Sequence, residues 1–372
     1  MTVALISGSD YLSQTVSESR SNSATVGDRR YNRWTHRFAW FTAVATLFLI
    51  CSGGMVTSKN VGLAVPDWPT TFGYNMFFFP LSKWIGGIFF EHVHRLIAST
   101  VGFLTIILAV WLWRSEPRRW VRNLGYAALA AVIVQGVLGG LRVTMLKDEI
   151  GIFHACLAQA YLGLLIVIAL VTSPFWARLS SARVATKSAR LLARMSIATS
   201  FIIYGQLALG ATMRHEHRDL SILDFPLAYG KVIPDVNAEK LASINAWRDA
   251  HALSDVTPFQ IWLQMAHRFV ALMIAIGVIA FWIGVRQRGR DSVALKRLSS
   301  CWALFLVCQI TLGAWTIWSN KAADIATAHV AVGATIFGAG IALVAICLRL
   351  ARERVSAESG YRSLVPEKAT SL

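Results

Sequence analysis

The amino-acid sequence predicts an all-α integral membrane protein whose eight transmembrane helices form two tandem, pseudo-symmetric four-helix bundles. Of its 372 residues, 55% are hydrophobic and only 15% are charged. Apolar runs of about 20 residues recur along the chain, and each is long enough to cross a hydrocarbon core about 30 Å thick. Such runs are expected to be helices because a spanning helix satisfies its backbone hydrogen bonds internally. A motif order that occurs twice predicts the two bundles.

Eight apolar runs give the predicted spans in chain order. They lie at 38–57, 92–113, 123–144, 152–173, 193–213, 260–284, 299–318 and 326–348. Each repeat has an even number of spans, so both repeats should have the same membrane orientation and be related by an axis along the membrane normal. The expected division is an N-terminal tail, a first repeat, a second repeat and a C-terminal tail, at 1–36, 37–190, 191–351 and 352–372.

The net charge of +16 would favour a nucleic-acid partner in a soluble protein, but here its distribution is a topology signal and we expect no nucleic acid. Lysine and arginine are concentrated on the cytoplasmic side of membrane proteins. Both termini are therefore expected in the cytoplasm. The basic residues cluster in alternate connections and at the two ends, within Arg29–Arg37, Arg114–Arg122, Arg178–Arg194, Arg286–Arg297 and Arg349–Arg354.

The N-terminal tail predicts the compartment. Residues 1–28 are rich in serine and contain no long apolar segment, so no cleavable secretory signal is expected. Asp10 and Glu18 are atypical of an organelle transit peptide, which is poor in acids. We therefore expect a multi-pass protein of the bacterial inner (cytoplasmic) membrane, with the mitochondrial inner membrane as the alternative.

The cysteines predict no disulfide framework. They form no CxxC pair, and buried apolar thiols are expected because each lies in a predicted span. The five are Cys51, Cys156, Cys301, Cys308 and Cys347.

The same order of motifs occurs in both halves of the chain. Residues 53–69 match 210–226 without a gap, and both segments run from a span into a loop that finishes Asp-aromatic-Pro. Each repeat is thus predicted to have one histidine on its second helix and one on its fourth. The later matches, in order, are His94-Arg95 with His267-Arg268, Gln135 with Gln309, Gly139 with Gly313, and His154 with His329.

The four matched histidines are candidate metal ligands. Each is predicted within the first turn or so of a helix that starts at the outer face, so all four should share one level. Polar side chains at membrane depth generally face the bundle interior, and two facing imidazoles can supply both axial ligands of a heme iron. A lone histidine is as readily a hydrogen-bonded structural residue, but repetition of the pair favours heme. Zinc is disfavoured because neither pair has a third ligand at suitable spacing.

The other histidines receive no ligand role. His36 is expected in the basic tail, and His92 points away from His94 on the same helix. The remaining three are expected on the solvated surface of the large outer loop, at His215, His217 and His251.

One residue distinguishes the two halves. Glu91 precedes His94 by three positions, so on a helix the two side chains project from the same face, with Cβ atoms about 5–6 Å apart. The equivalent residue before His267 is Gln264. A carboxylate beside a cofactor can move protons, whereas an amide can only hydrogen-bond. The difference predicts chemistry in the first half and a redox or structural cofactor in the second; the alternative is an interfacial acid favoured by a helix start.

The chain resembles the heme A synthase family. Glu91-His92-Val93-His94-Arg95 resembles the family's Glu-x-x-His-Arg motif, and Pro66-Asp67-Trp68-Pro69 resembles its first outer loop. Together with the three other matched histidines, the similarity covers the eight-span core. Many members carry a cysteine pair in the first outer loop, whereas residues 58–90 contain none. The chain therefore resembles the cysteine-free branch, and a thiol role proposed for that loop cannot apply to it.

The resemblance implies oxidation of the C8 methyl group of heme O to the formyl group of heme A, which terminal oxidases use. It implies that His94 and His154 are the iron ligands of the substrate heme O, with Glu91 as the catalytic carboxylate. It also implies that His267 and His329 ligate a heme b cofactor in the second repeat. The expected partners are membrane lipid, the heme O substrate, heme O synthase or oxidase assembly factors, and an unidentified electron acceptor.

Several neighbouring residues have two interpretations. Arg95 and Arg268 would contact heme propionates, because guanidinium groups bind carboxylates in a bidentate manner, or they are snorkelling interfacial cations. Asp67 and Asp224 are expected to shape the loops, and Trp68 is a candidate cover for a heme face. Interhelical hydrogen bonds and close helix approach are expected at Gln135, Gln309, Gly139 and Gly313.

Two other functions stay open on the sequence alone. A di-heme b-type membrane electron-transfer protein would have the same four histidines but would catalyse no bond-making chemistry. Two unaltered b-type hemes in the protein would favour this function. The contrast of Glu91 with Gln264 argues against it. A transporter built from parallel repeats would bind no heme and would contain helices broken near the midplane, whereas the prolines here lie mainly in loops.

Overall fold

The computed structural model describes residues 32–179, 184–216, 220–289 and 292–362. Eight helices in these residues are long and apolar enough to cross a membrane. Each predicted span overlaps one of them, which confirms the all-α, multi-pass membrane class. The helices are α1 Arg33–Ser58, α2 Gly86–Ser115, α3 Arg119–Met145, α4 Asp148–Val171, α5 Thr186–Glu216, α6 Pro258–Arg288, α7 Val293–Trp318 and α8 Ala323–Arg362.

Polar side chains fix several of the helix starts. Asn32 before α1 and Ser292 before α7 accept hydrogen bonds from backbone N–H groups in the first turn. Before α6, Thr257 and Gln260 form a reciprocal capping box. These caps satisfy backbone donors that have no partner within the helix, so the ends of the spans are encoded locally.

The eight helices pack as two four-membered rings. In the first half α1 and α3 each contact α2 and α4, and in the second half α5 and α7 each contact α6 and α8. The halves meet through α1, α4, α5 and α8. Half of the most apolar stretch of α8 is buried, against 17% in α3 and in α7. The outer helices therefore present most of their apolar side chains to lipid.

Glycines allow the helices to approach closely in the centre of the molecule. A Cβ at Gly163 of α4 would lie 3.3 Å from the Phe337 ring of α8. A Cβ at Gly340 of α8 would lie 3.2 Å from the Trp302 ring of α7. Trp302 is fully buried, and its indole N–H donates to the carbonyl of Ile336 (2.9 Å). Small residues at such crossings favour close packing in membranes.

Two loops on the same side of the membrane join the first and second helices of each half. The first contains two short 3-10 turns, Met76–Phe78 and Leu81–Lys83. The second contains a 13-residue helix, Ala238–Ala250, for which the first loop has no counterpart. The second loop closes over a small buried cluster formed by Ile222, Ala228, Val256, Ile261 and Met265.

The helices that carry the matched histidines begin earlier than predicted. His94 and His267 lie eight and nine residues after the first residues of α2 and α6. His154 and His329 each lie six residues after the first residues of α4 and α8. The histidines are therefore about 9–14 Å below the helix starts, at 1.5 Å per residue, and not in the first turn. The prediction relied on apolar runs, whereas these helices extend into less apolar sequence.

Two other histidines also differ from prediction. His36 lies in α1 rather than in a tail, with Nδ1 2.8 Å from the carbonyl of Ala169. His215 lies in the last turn of α5, where its side chain is 8% exposed and its Nδ1 is 3.5 Å from Asp148. The loop begins later than expected, so His215 is not on a solvated surface. His217 lies outside the described residues.

All five cysteines are free, as predicted. Cys347 is buried, but Cys301 and Cys308 are exposed. Both exposed thiols lie on α7, an outer helix of its ring. Their expected burial was wrong because an apolar residue in a span can face lipid instead of the protein interior.

Candidate functional site

Each matched histidine packs against a glycine of a neighbouring helix. A Cβ at Gly53 of α1 would lie 3.0 Å from Cε1 of His94, and a Cβ at Gly139 of α3 would lie 3.4 Å from Cε1 of His154. The second half repeats both contacts, since Gly210 faces His267 (3.4 Å) and Gly313 faces His329 (3.1 Å). Gly139 and Gly313, predicted to permit close helix approach, and Gly53 and Gly210, for which no role was predicted, thus provide the space for the imidazole rings.

The second pair has the geometry of two ligands on one metal ion. The ring centroids of His267 and His329 are 6.5 Å apart, with an interplanar angle of 52°. Two imidazoles that each bind the same ion at about 2 Å would have centroids about 6 Å apart. In the first half, His94 and His154 lie within electrostatic range of each other.

One nitrogen of each of these rings has no hydrogen-bond partner in the part of the chain that the structure describes. Nδ1 of all four matched histidines is buried and has no hydrogen-bond partner among the described residues. Buried polar atoms are usually paired, so a purely structural role would leave four exceptions in equivalent places. Ligation of a metal ion would give these buried imidazoles a function.

Glutamine side chains form hydrogen bonds with three of the matched histidines, two at the backbone carbonyl and one at the imidazole. Gln135 donates to the carbonyl of His154 (3.0 Å), and Gln206 donates to the carbonyl of His267 (2.9 Å). Gln309 lies 3.3 Å from Nε2 of His329 itself. The interhelical hydrogen bonds expected for Gln135 and Gln309 are therefore present. Gln206 was not predicted because its counterpart in the first half, by the gapless match, is a leucine.

Glu91 and Gln264 both anchor an outer loop. Glu91 is 4% exposed; Oε2 accepts from the backbone N–H of Val65 (3.0 Å) and Oε1 accepts from Arg95 (2.7 Å). Gln264 is equally buried, accepts from the N–H of Ile222 (2.9 Å) and donates to its carbonyl (3.0 Å). No hydrogen bond joins Glu91 to a matched histidine within the part of the chain that the structure describes.

The two arginines that follow the histidines also contact the loops. Arg95 donates from Nη1 to the carbonyl of Asp67 (2.7 Å) and from Nη2 to that of Val65 (2.8 Å). Arg268 donates to the carbonyls of Asp224 (2.7 Å) and Leu227 (2.8 Å). These contacts give both arginines a loop-holding role, and the propionate contact stays a prediction.

Asp67 and Asp224 shape their loops in the same way. Asp67 accepts from the N–H groups of Phe72 (2.7 Å) and Gly73 (2.8 Å), both at positive φ. Asp224 accepts from the equivalent Tyr229 and Gly230 (2.8 and 2.9 Å), which have the same φ values. Burial raises the pKa of the Asp67 carboxyl, but hydrogen bonds from Gly73, Thr70 and Phe72 outweigh it and hold the pKa below its ordinary 3.8.

Trp68 lies over α3 at the edge of the first pocket. A Cβ at Gly140 would overlap its ring, so the indole rests directly on helix backbone. The ring is 45% exposed. Coverage of a heme face by Trp68 is compatible with this position and stays a prediction.

His92 is fully buried beneath the first loop. Its Nδ1 lies 3.3 Å from Oγ1 of Thr71, and its ring packs against Phe79 and Trp84 at centroid distances of 5.0 and 4.7 Å. His92 therefore belongs to the core of the loop and not to the matched pairs, in line with the sequence analysis.

The sequence predicted no role for two arginines near the pockets. Arg142 of α3 lies within electrostatic range of His94 and His154. Arg214 of α5 lies within range of His329 and donates across the interface between the halves to the carbonyl of Gly54 (2.8 Å). For Arg142 a signal existed: it follows a matched glycine by three residues on the same helix.

Known proteins are similar to this chain over most of its length. The profile of the COX15-CtaA family, described as cytochrome oxidase assembly protein, matches residues 74–341. Heme A synthase of Geobacillus kaustophilus is 23% identical over 331 residues, covering 86% of this chain and 93% of that protein. Heme A synthase of Shewanella oneidensis is 24% identical over 324 residues, covering 77% and 89%. The family match includes all four matched histidines and Glu91.

Proposed function

This chain belongs to the cytochrome oxidase assembly protein family and, within it, to the heme A synthases, and we propose that it oxidises the C8 methyl group of heme O to the formyl group of heme A. The first repeat, 37–190, binds the substrate, and the second repeat, 191–351, holds heme b. One observation carries the proposal: two equivalent imidazole pairs occur, and a buried carboxylate, Glu91, lies three residues before the first histidine of only one of them.

The residues present fit two hemes. His94 and His154 would hold the iron of heme O, and His267 and His329 that of heme b. The 6.5 Å separation of the second pair and the unpartnered Nδ1 atoms of all four support this fit. A resident heme b supplies reversible electron transfer.

Glu91 is the proposed proton acceptor. Conversion of a methyl to a formyl group takes up one oxygen atom from water and releases four electrons and four protons. The electrons must leave to a redox carrier of the membrane, and the protons need a base near the substrate edge. Contacts with Val65 and Arg95 orient the Glu91 carboxylate and leave lone pairs on both oxygens for a proton. Gln264 in the other half offers no such base.

A di-heme electron-transfer protein is the second candidate function. It is favoured by the anchoring contacts, since Glu91 and Gln264 bind the same loop position. In that case Glu91 would only hold the loop, and no heme would be altered.

Extraction of the hemes from the purified protein, followed by chromatography and mass spectrometry, separates these functions. We expect heme B together with heme O or heme A. The variant His94→Ala should lose heme O and heme A but keep heme B, and His267→Ala should lose heme B. Heme B alone in the unaltered protein would favour the electron-transfer function, and absence of any heme would refute both.

We also propose a location in the bacterial inner membrane with both termini in the cytoplasm. The basic clusters between alternate spans support this orientation. Both outer loops and the adjoining pockets then lie toward the periplasm. Heme O synthase, oxidase assembly factors and a redox carrier are the proposed partners. Terminal fusions to a fluorescent protein should fluoresce, and alkaline phosphatase fusions at the same sites should be inactive.

A further inference from the structure

Arg142 is a cation at the first pocket that the proposed chemistry does not use. It lies on α3, three residues after Gly139, the glycine that faces His154. Its guanidinium occupies a slot between the first outer loop and α4. A Cβ at Gly62 would lie 2.8 Å from Nη1, and a Cβ at Gly151 would lie 2.9 Å from Nε. Because Gly62 and Gly151 have no side chains, only their backbone atoms face the guanidinium.

The residues that the structure describes supply no counter-ion for Arg142. Among the described residues its guanidinium forms no ion pair, and its neighbours within electrostatic range include His94, His154 and His215. The Asp148 carboxylate, at the start of α4, lies 3.5 Å from Nδ1 of His215 instead. Cations at membrane depth generally pair with an anion or line a functional cavity. The guanidinium is therefore available to an anionic group of a ligand.

The second half has no equivalent cation. The spacing that matches Gly139 with Gly313 makes Thr316 the equivalent of Arg142 in the second half. Thr316 is neutral, and its hydroxyl donates to a carbonyl of its own helix (2.8 Å). This position of the third helix thus carries a positive charge only in the half proposed to react, whereas Arg214, the cation within range of His329, lies on the first helix of its half.

We propose that Arg142 binds a carboxylate of the heme substrate and thereby fixes the rotation of the porphyrin in the first pocket. The inference rests on the proposed function. Two histidine ligands would locate the iron but would not by themselves fix the rotation of the ring. A porphyrin carries several methyl groups on its rim, so oxidation of one of them requires a defined rotation. A guanidinium meets this need because it binds a carboxylate with two parallel hydrogen bonds.

Heme O and its dimethyl ester are the probes for this contact. Absorbance titrations use the full chain with heme b already bound. The unaltered protein should bind heme O at least about tenfold more tightly than the ester, since a hydrogen bond to a charged group contributes at least the binding free energy of a tenfold change in affinity. Arg142→Thr, which copies the second half, should bind both probes with the same weakened affinity. Arg119→Thr, at the other end of α3, is the matched control and should keep the preference.

A preference for heme O that persists in Arg142→Thr would overturn the assignment. The assignment would also be overturned if Arg142→Thr lost a bound acidic phospholipid and kept the preference for heme O. In that case Arg142 would bind a lipid phosphate. Equal binding of both probes by the unaltered protein would overturn the role of Arg142 and leave the proposed function standing. Failure of the unaltered protein to bind heme O would overturn both.

Proton NMR of the heme methyl groups gives a second readout. The unaltered protein should show one set of shifted methyl signals from the first-pocket heme, and Arg142→Thr should show two or more. Arg142→Lys should recover much of the affinity but not the single set, because an ammonium is a point charge without a planar fork. A single set in Arg142→Thr would refute the orienting role.

Discussion

Glu91 and Gln264 occupy the same position in the two halves, and each accepts a hydrogen bond from the backbone N–H of the matched loop residue, Val65 or Ile222. Around this common contact the chemistry differs. Gln264 also donates to the carbonyl of Ile222, whereas the carbonyl of Val65 is bound by Arg95. Both halves therefore anchor the loop, but only one does so with a carboxylate.

The substitution Glu91→Gln should separate anchoring from proton transfer. The amide oxygen can still accept from Val65, as Gln264 does at Ile222, so folding and heme binding should persist. Formation of the formyl group should fall by about 10²–10⁴-fold, the contribution of a positioned base. Heme analysis of cells and of purified protein measures both quantities. Normal heme A production by Glu91→Gln would refute the catalytic role.

Alanine at Gly53 should displace the imidazole of His94. The added Cβ would lie 3.0 Å from Cε1 of that ring, closer than ordinary contact. We expect Gly53→Ala to weaken heme binding in the first pocket, and Gly313→Ala to weaken it in the second. Absorbance titration of each variant measures the effect. Gly102→Ala, where nothing lies within 4 Å of the new Cβ, should bind both hemes normally; a loss there would mean that any alanine disturbs the bundle.

Acid should release the first outer loop through Asp67. The pKa of this carboxyl is held below its ordinary 3.8, because hydrogen bonds from Gly73, Thr70 and Phe72 outweigh the effect of burial. The stabilisation is therefore complete above the ordinary pKa and is lost as pH falls through the lower folded value. Hydrogen exchange should show full protection of the Phe72 and Gly73 amides above about pH 4 and loss below it. Loss of protection near neutral pH would contradict this expectation, and Asp67→Asn should show weaker protection that does not change with pH.

Arg248 should stabilise the second outer loop. Its side chain is 1% exposed and donates from Nε to the carbonyl of Ser254 (2.6 Å) and from Nη1 to that of Leu220 (3.0 Å). Arg248→Met would remove both donors and cost about 0.5–1.5 kcal/mol for each hydrogen bond lost. Hydrogen exchange should therefore increase across the loop between α5 and α6. Lys240→Met, at an exposed position on the same short helix, should leave the exchange unchanged.

The relation between Glu91 and His94 shows what the spacing of residues along one helix can predict. Three residues on a helix place the two side chains on one face, and the contrast with Gln264 was evident from the sequence. The partners of Glu91 were not, because Val65 lies 26 residues away in a loop whose path no periodicity encodes. The same reason explains Arg95, whose loop carbonyls lie 25–30 residues away.

The sequence by itself determined the eight spans, the duplication and the four matched histidines. Hydrocarbon thickness sets the length of a span, and unpaired backbone groups are too costly in lipid for other structures, so composition is sufficient there. Only the tertiary structure decided that glycines of adjacent helices make room for the imidazoles, that His215 is buried, and that Arg142 lies within electrostatic range of His94 and His154. These features depend on which helices meet and at what depth. Packing between elements distant in sequence sets both.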